Sequence, residues 1–204
     1  MIAAADALRA ISSQRDDALV VITMSTARLW PSVSTRPERD LPISNCMGKA
    51  SSVALGAALA RPDLKVLVLD GDGSLVMNLG SLVTIGQMQP KNLIHFLFND
   101  GAYTTVGGAP VPGAGKADIA AMSAAAGYRC SKSYESIEDL VKGLPHLLST
   151  DGPVFCNLFI EHWRGLADVG PMTQQVMDTR LLAAAKKYWT VRQELNPDTA
   201  SPFA

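Results

Sequence analysis

The fold of this chain is decided by the stretch Lys65-Val66-Leu67-Val68-Leu69-Asp70-Gly71-Asp72-Gly73-Ser74. A short apolar run that closes on glycines predicts a buried parallel strand ending in a tight turn. Asp72 then lies at the carboxyl end of the strand, which is where open α/β sheets bind their ligands. The turn that contains Asp72 is therefore the first candidate for a functional site.

A second stretch repeats this pattern. The run from Asn92 to Phe98 is also typical of a buried strand, and it ends in the polar turn Asn99-Asp100-Gly101. Together the two turns offer the Asp72 carboxylate, an amide and a backbone carbonyl at a glycine. Mg²⁺ and Ca²⁺ bind oxygen ligands of these kinds together with substrate phosphates. The two strand ends thus predict a site for a divalent metal and a diphosphate.

Strands and helices alternate along the rest of the chain, which predicts an α/β fold with a parallel sheet and helices on both faces. Further strands are expected at residues 18–23, 128–131 and 154–160, and helices at 2–15, 25–30, 51–60, 77–88, 117–126, 136–148 and 172–188. The proline-rich stretch 31–42 and the glycine-rich stretch 101–116 are predicted to be loops, the second lying over the candidate site. We expect one domain over residues 1–190 and a C-terminal tail at 191–204.

Composition restricts the classes of function. The 204 residues are 48% hydrophobic and 18% charged, which is enough for one substantial core. The net charge of -1 gives no electrostatic argument for nucleic acid or a membrane surface as a partner. No run of about 18 apolar residues predicts a membrane span, and the N-terminus does not have the pattern of a signal peptide. The three cysteines lack disulfide or zinc spacing, so each is expected to be a small buried residue in a cytoplasmic protein.

The spacing of the two turns resembles the metal and diphosphate motif of thiamine diphosphate enzymes. Asn99 follows Asp72 by 27 positions, and Gly101 comes two positions later. The resemblance implies the diphosphate-domain fold of these enzymes, with thiamine diphosphate and Mg²⁺ as cofactors. It implies that Asp72 and Asn99 bind the metal through their side chains and that Gly101 binds it through its carbonyl. In the turn that starts at Gly71, it implies diphosphate binding by the backbone N–H groups of Gly73 and Ser74 at the start of a helix.

The segment Asn45-Cys46-Met47-Gly48 supports the same resemblance. In this family a bulky apolar side chain below the cofactor forces its two rings into a bent conformation, and Met47 occupies that position. The residue two places earlier, here Asn45, accepts a hydrogen bond from the cofactor's amino group through its main-chain carbonyl. Many members of the family have glycine at the Asn45 position.

Over about residues 1 to 160 the chain is similar to the β subunit of sulfopyruvate decarboxylase and to the matching half of phosphonopyruvate decarboxylase. The segments that carry this similarity are 47–56, 71–80 and Gly107-Gly108 after Tyr103. The resemblance implies a 2-oxoacid decarboxylase. In this family the glutamate that activates the cofactor comes from a pyrimidine-binding domain, for which 204 residues leave no room. We therefore expect a separate pyrimidine-domain subunit, an active site shared between chains, and a hetero-oligomer.

Three other functions stay open at this point. The same cofactor cage serves carboligases, so an acetolactate synthase-like subunit is one alternative. A binding module that kept the fold without catalysis is another. A dinucleotide-binding fold predicts Gly-x-Gly-x-x-Gly after a strand, and the sequence contains no such motif.

Four further residues carry weaker expectations. His95 lies within an apolar strand and is expected to be a hydrogen-bonded structural residue, whereas His146 is expected on a helix surface. His162 follows the last strand and either approaches the mouth of the site or lies on the surface. Lys49 either attracts an acidic substrate or is a solvated residue at the start of a helix.

Overall fold

The computed structural model describes residues 1–43, 46–104 and 107–163, together with residues 186, 190, 191, 193, 194 and 197. Its helices are α1 (Ala4–Gln14), α2 (Met24–Leu29), α3 (Ala50–Ala60), α4 (Asp72–Val76), α5 (Ser81–Met88), α6 (Ile119–Ala125) and α7 (Ile137–Ser149). Its strands are β1 (Leu19–Thr23), β2 (Asp40–Ile43), β3 (Val66–Gly71), β4 (Leu93–Asn99), β5 (Ala102–Tyr103), β6 (Ala109–Pro110), β7 (Cys130–Tyr134) and β8 (Val154–Phe159).

The described residues form a six-stranded sheet in the order β2-β1-β3-β4-β8-β7, in which every neighbouring pair is parallel. The chain leaves β1 for β2 on one side and returns to β3 on the other. This makes the gap beyond the carboxyl ends of β1 and β3 a topological switch point, the usual place for a ligand in an open α/β sheet.

Helices cover both faces of the sheet, as predicted. Strand side chains alternate between the faces, and they form two separate hydrophobic clusters. One cluster packs apolar residues of α1 and α7 against residues such as Leu67, Leu69 and Phe96. The other packs α3, α5 and α6 against residues such as Val66, Val68 and Leu97. The central strands are buried on both sides, which is why they read in the sequence as continuous apolar runs.

The stretch 31–42, predicted to be a loop, ends in a strand instead. Strand β2 pairs with β1 at the edge of the sheet, where Pro42 is tolerated because one side of an edge strand needs no ladder hydrogen bonds. Its Asp40 is buried and forms an ion pair with Arg15 at 2.5 Å, and the Arg15 guanidinium also lies over the ring of Trp30. This buried ion pair connects the edge strand to the end of α1.

Smaller corrections concern the bounds of other elements. The helix predicted over 77–88 begins four residues later, at Ser81, because residues 77–80 form a turn that separates α5 from α4. The loop 101–116 contains a short antiparallel hairpin of β5 and β6. The strand predicted at 128–131 begins two residues later. Residue Ile2 forms a bridge to Ile160 and precedes α1. Most of the predicted helix 172–188 and the tail after residue 196 lie outside the described residues.

The cysteines differ in their surroundings. Cys156 is buried as expected, but Cys130 is half-buried and Cys46 is exposed, because Cys46 lies in the turn before α3, outside both clusters. All three are free thiols. Among the described helices, none has the length and apolar character needed to cross a membrane.

Candidate functional site

A cleft opens at the carboxyl ends of β1, β3 and β4, at the switch point of the sheet. It is lined by residues 24–26, 71–74 and 102–104 together with Met47, Phe98, Asp100 and Trp163. Each segment follows a buried strand or packs against one, so the rigid sheet positions the cleft while the loops supply its walls. The cleft is shallow and open on one side, with a volume of about 30 Å³.

Most of the residues expected in the site lie in this cleft. They are Met47, Gly71, Asp72, Gly73 and Ser74. Asn45 lies outside the described residues. Asn99 and Gly101, the other two expected metal ligands, are not among the residues that line the cleft.

Asp72 is the central polar group of the cleft. Its carboxylate is almost fully buried, with Oδ1 accepting the N–H of Gly73 at 2.9 Å and Oδ2 accepting the N–H of Gly101 at 2.8 Å. Burial raises the pKa of Asp72 to about 6, and the nearby carboxylate of Asp100 adds to this, while the two N–H groups oppose it. A cation placed beside Asp72 would relieve both destabilising effects on its charged form.

The atoms of Asn99 and Gly101 that were expected to bind the metal have other partners in the structure. The Asn99 side-chain nitrogen donates to Asn157 Oδ1 at 3.3 Å, and its main-chain carbonyl accepts from Ile160 N at 3.1 Å. Gly101 faces Asp72 with its N–H, and its carbonyl accepts from Val111 N at 2.9 Å. The role of these two residues as metal ligands therefore stays a prediction.

Asp100 is the acidic residue that the sequence analysis passed over. It lines the cleft, and its Oδ1 accepts from Ala102 N at 3.3 Å while its Oδ2 accepts from the Thr104 hydroxyl at 2.7 Å. His162 Nδ1 lies 3.3 Å from Asp100 Oδ2, so His162 does approach the mouth of the site, with its side chain 66% exposed. The signal that could have found Asp100 was its place in the same polar turn as Asn99.

The peptide that follows Met47 is held from two sides. Gly48 N donates to the Ser74 hydroxyl at 3.0 Å, and Gly48 O accepts from the Asn78 side chain at 2.8 Å. Gly48 has a φ of 75°, a conformation that favours glycine. The turn between α4 and α5 therefore contributes Asn78 to the placement of Met47, which lies in the cleft as the wedge interpretation requires.

Residues just after β1 form a third wall that the sequence analysis did not identify. Met24 has a φ of 51°, unusual for a residue other than glycine. The Thr26 hydroxyl donates to the carbonyl of Leu69 at 2.8 Å, which ties α2 to the strand that carries Asp72. The run Thr23-Met24-Ser25-Thr26, three hydroxyl side chains directly after an apolar strand, was the available signal.

His95, His146 and Lys49 have the structural or surface positions that were expected if they take no part in the site. His95 is fully buried and contacts Tyr128 and Asp70, as a structural histidine should. His146 is exposed on α7. Lys49 is exposed at the start of α3 and does not line the cleft. No group of three or more His, Cys, Asp or Glu side chains in the described part of the chain could hold a metal, so a metal here would need amide or carbonyl oxygens beside Asp72.

Comparison with known proteins identifies the domain that carries this cleft. Residues 22–158 match the family described as thiamine pyrophosphate enzyme, C-terminal TPP binding domain. The chain belongs to this family. The match runs from β1 to β8 and so includes every residue that lines the cleft apart from Trp163.

Relatives within the family have informative lengths. The chain is 38% identical to a phosphonopyruvate decarboxylase of Streptomyces viridochromogenes over 72% of this chain but only 36% of the relative. It is 33% identical to the sulfopyruvate decarboxylase subunit beta of Methanothermobacter thermautotrophicus over 80% of this chain and 84% of the relative. The chain thus spans about a third of the phosphonopyruvate decarboxylase and most of the β subunit.

A solved structure confirms the fold. The thiamine diphosphate-dependent 4-hydroxybenzoylformate decarboxylase of Rhodococcus jostii RHA1 superposes with a TM-score of 0.63 at 22% identity. The superposition covers 77% of this chain and 32% of that one. The α/β diphosphate-binding fold predicted from the sequence is therefore confirmed.

Proposed function

We propose that this chain is the thiamine diphosphate-binding subunit of a 2-oxoacid decarboxylase, with Mg²⁺ as its metal, and that a separate pyrimidine-domain subunit completes the active site. The observation that carries the proposal is the buried Asp72 carboxylate at the switch point of a domain of the thiamine pyrophosphate enzyme family. The similarity to a sulfopyruvate decarboxylase subunit beta over most of both chains supports the decarboxylase assignment.

The residues of the cleft fit the proposed cofactor. Asp72 and Asp100 place two carboxylates close enough to affect each other, and no lysine or arginine is among the described residues that line the cleft. A divalent cation that also binds a diphosphate supplies the missing positive charge. Asp72 would hold the metal with the Asn99 amide and the Gly101 carbonyl. The N–H groups of Gly73 and Ser74 would hold the diphosphate, beside Gly71 and the main chain of Asn45.

The cofactor supplies the electron sink that accepts the electron pair released when the carboxylate of a 2-oxoacid leaves as carbon dioxide. The contribution of this chain is placement. Met47, held by the contacts of Gly48 with Ser74 and Asn78, would support the cofactor in its bent conformation. Asp72 orients the diphosphate, and Trp163 and Phe98 form an apolar wall that excludes water. Holding the reacting groups in the correct orientation can supply a large share of the lowering of the activation free energy.

Two observations support a partner chain. No glutamate is among the described residues that line the cleft, so the activating glutamate expected in this family would come from elsewhere. The cleft is also open on one side, whereas ligand pockets bury most of the surface of their ligand. A second chain facing the cleft would supply both the missing wall and the base. The free thiols of the three cysteines suit the reducing cytoplasm, which we propose as the location.

The test is reconstitution. The chain is assayed alone with sulfopyruvate, phosphonopyruvate and pyruvate in the presence of thiamine diphosphate and Mg²⁺, and then with the co-expressed product of the neighbouring gene. We expect no turnover by the chain alone and carbon dioxide release by the mixture. Full turnover by the chain alone would refute the two-subunit proposal. Formation of a hydroxyketone instead of an aldehyde would replace the decarboxylase assignment with the carboligase alternative.

A further inference from the structure

A row of three buried polar side chains lies directly behind the turn at residues 71–74, which we call the cofactor turn. This row has no part in the proposed function. Tyr128 OH lies 3.4 Å from His95 Nδ1, and His95 Nε2 lies 3.6 Å from Asp70 Oδ2. The side chains of His95 and Asp70 are fully buried, and Tyr128 is 5% exposed. Three polar groups in such surroundings are costly unless each has a partner. Their presence beside the second apolar cluster, to which Tyr128 itself belongs, therefore requires an explanation.

The chain of contacts ends on the backbone of the cofactor turn. Asp70 Oδ1 accepts the N–H of Gly71 at 2.9 Å. Gly71 is the residue immediately before Asp72, and its peptide orientation determines where the Asp72 carboxylate points. Asp72 in turn is held by the N–H groups of Gly73 and Gly101. The Asp70 carboxylate thus fixes the start of the turn at Gly71, and the N–H groups of Gly73 and Gly101 fix the Asp72 carboxylate that follows.

His95 and Tyr128 lie on the side of Asp70 that faces away from Gly71 N. Neither Asp70 Oδ2 nor His95 Nε2 has a hydrogen bond in the described part of the molecule, and the two atoms face each other. Phe155 contacts both rings edge-on, at 5.1 Å from His95 and 5.7 Å from Tyr128. This packing favours the orientation of the imidazole in which Nε2 faces Asp70.

The contacts also indicate which nitrogen of His95 carries the proton. Burial, with a contribution from the charge of Asp70, raises the pKa of Tyr128 above its usual value, so the phenol keeps its proton. Its O–H can then donate to His95 Nδ1. The proton of the ring is in that case on Nε2, facing Asp70 Oδ2, where it partners the carboxylate.

We propose that Asp70, supported by His95 and Tyr128, is a positioning residue that fixes the Gly71 peptide and thereby aims the Asp72 carboxylate into the cleft. This inference deepens the proposed function and rests on it, since the aim of Asp72 matters only if Asp72 binds the metal of the cofactor. Asp70 touches neither substrate nor cofactor. It acts through the backbone of the turn.

The test compares Asp70→Ala with Asp70→Asn and with a control variant, Asn92→Ala. An asparagine at position 70 still offers an oxygen to Gly71 N–H, whereas an alanine does not. The Asn92 side chain donates to the carbonyls of Ala58, Arg61 and Leu64 at the amino end of β4, so its loss destabilises the fold far from the turn. The full chain is used, alone for spectroscopy and with its partner subunit for titration with thiamine diphosphate and Mg²⁺.

Two spectroscopic readouts need no cofactor. The first is the hydrogen-exchange rate of the Gly71 amide relative to the Val68 amide of the same strand. We expect this ratio to rise at least tenfold in Asp70→Ala and to stay within threefold in Asp70→Asn and Asn92→Ala. The second is the ¹⁵N signature of His95, expected to show the proton on Nε2 in the wild type. In Asp70→Asn we expect it on Nδ1, because the new side-chain NH₂ then donates to Nε2.

The cofactor titration connects the positioning to function. We expect Asp70→Ala to bind thiamine diphosphate with Mg²⁺ at least tenfold more weakly, and Asp70→Asn and Asn92→Ala to bind within threefold of the wild type. Equal behaviour of Asp70→Ala and Asn92→Ala in exchange ratio and affinity would overturn the inference, since it would show general destabilisation. If the wild-type complex does not bind the cofactor, the proposed function fails, and the Gly71 exchange ratio and the His95 signature alone decide whether Asp70 holds the turn. If Asp70→Ala does not fold, Asp70→Val replaces it, because valine suits a buried strand.

Discussion

The ring of Tyr103 lies directly over Gly73, so close that a Cβ atom on Gly73 would be 2.6 Å from two ring carbons. Tyr103 is also part of the cleft wall and belongs to the β5–β6 hairpin. The hairpin therefore rests on the turn that is proposed to bind the diphosphate, and glycine at position 73 is required for this contact.

The first prediction follows from this contact. Gly73→Ala should displace Tyr103 from the turn and weaken the binding of thiamine diphosphate at least tenfold, and combining it with Tyr103→Ala should restore part of the loss. Gly80→Ala is the matched control, because a Cβ there meets nothing within 4 Å. Calorimetric titration of these three variants and of Tyr103→Ala alone measures the effect. Additive losses in the double variant would mean that the two residues act separately.

The second prediction concerns the metal. Asp72→Ala should abolish Mg²⁺-dependent cofactor binding while the fold is retained, because it removes the one carboxylate from a ligand set whose other members are neutral. Asn99→Ala should weaken binding less. Asp63→Ala, which removes an exposed carboxylate that pairs with Arg61, should leave binding unchanged. Titration with and without Mg²⁺ distinguishes these cases, and unchanged affinity in Asp72→Ala would contradict the metal assignment.

The third prediction separates catalysis from binding at Met47. Met47→Ala should lower kcat more than it lowers cofactor affinity, because the diphosphate contacts stay intact while the support for the bent conformation is lost. Met122→Ala, an exposed residue of α6, is the control. Steady-state rates at saturating cofactor provide the measurement. Turnover near the wild-type value would show that Met47 is an ordinary packing residue.

The fourth prediction concerns stability alone. Gly56 lies in the interior of α3, and a Cβ there meets nothing within 4 Å. Gly56→Ala should therefore raise the free energy of unfolding by about 0.5–1 kcal/mol, because alanine loses less backbone entropy in a helix. Gly86→Ala should do the opposite, because its Cβ would overlap the carbonyl of Ala126. Urea unfolding of both variants tests the pair, and a stability loss in Gly56→Ala would contradict the expectation.

The central strands could be predicted from the sequence because burial on both faces leaves continuous apolar runs. The edge strand β2 could not be predicted. An edge strand tolerates proline and charged residues, so its sequence has the composition of a loop. The turn at residues 77–80 was predicted as helix for a similar reason. Its apolar residues continue the helical pattern of α5, whereas in the structure the Asn78 side chain donates to the carbonyl of Gly48, a contact between distant segments that the pattern does not show.

The site was predicted at the level of the turns but not of every side chain. Successive side chains at the end of a strand point to opposite sides. Asn99 and Asp100 are adjacent, and only Asp100 lines the cleft, whereas Asn99 contacts Asn157. A sequence shows that a polar turn follows the strand, but not which of two neighbours faces the ligand. The contribution of residues 24–26 depends on the switch point between β1 and β3, a property of the sheet order.

The position of Trp163 gives the protein an internal optical reporter. Its indole lines the cleft and packs against Phe98 at a centroid distance of 6.1 Å, whereas Trp30 is fully buried beside α1. A molecule or a second chain that enters the cleft must change the polarity around the Trp163 indole and leave the surroundings of the Trp30 indole unaltered. The difference in emission between the wild type and Trp163→Phe isolates that signal. Occupancy of the cleft can then be followed in real time on unlabelled protein, before any substrate is known.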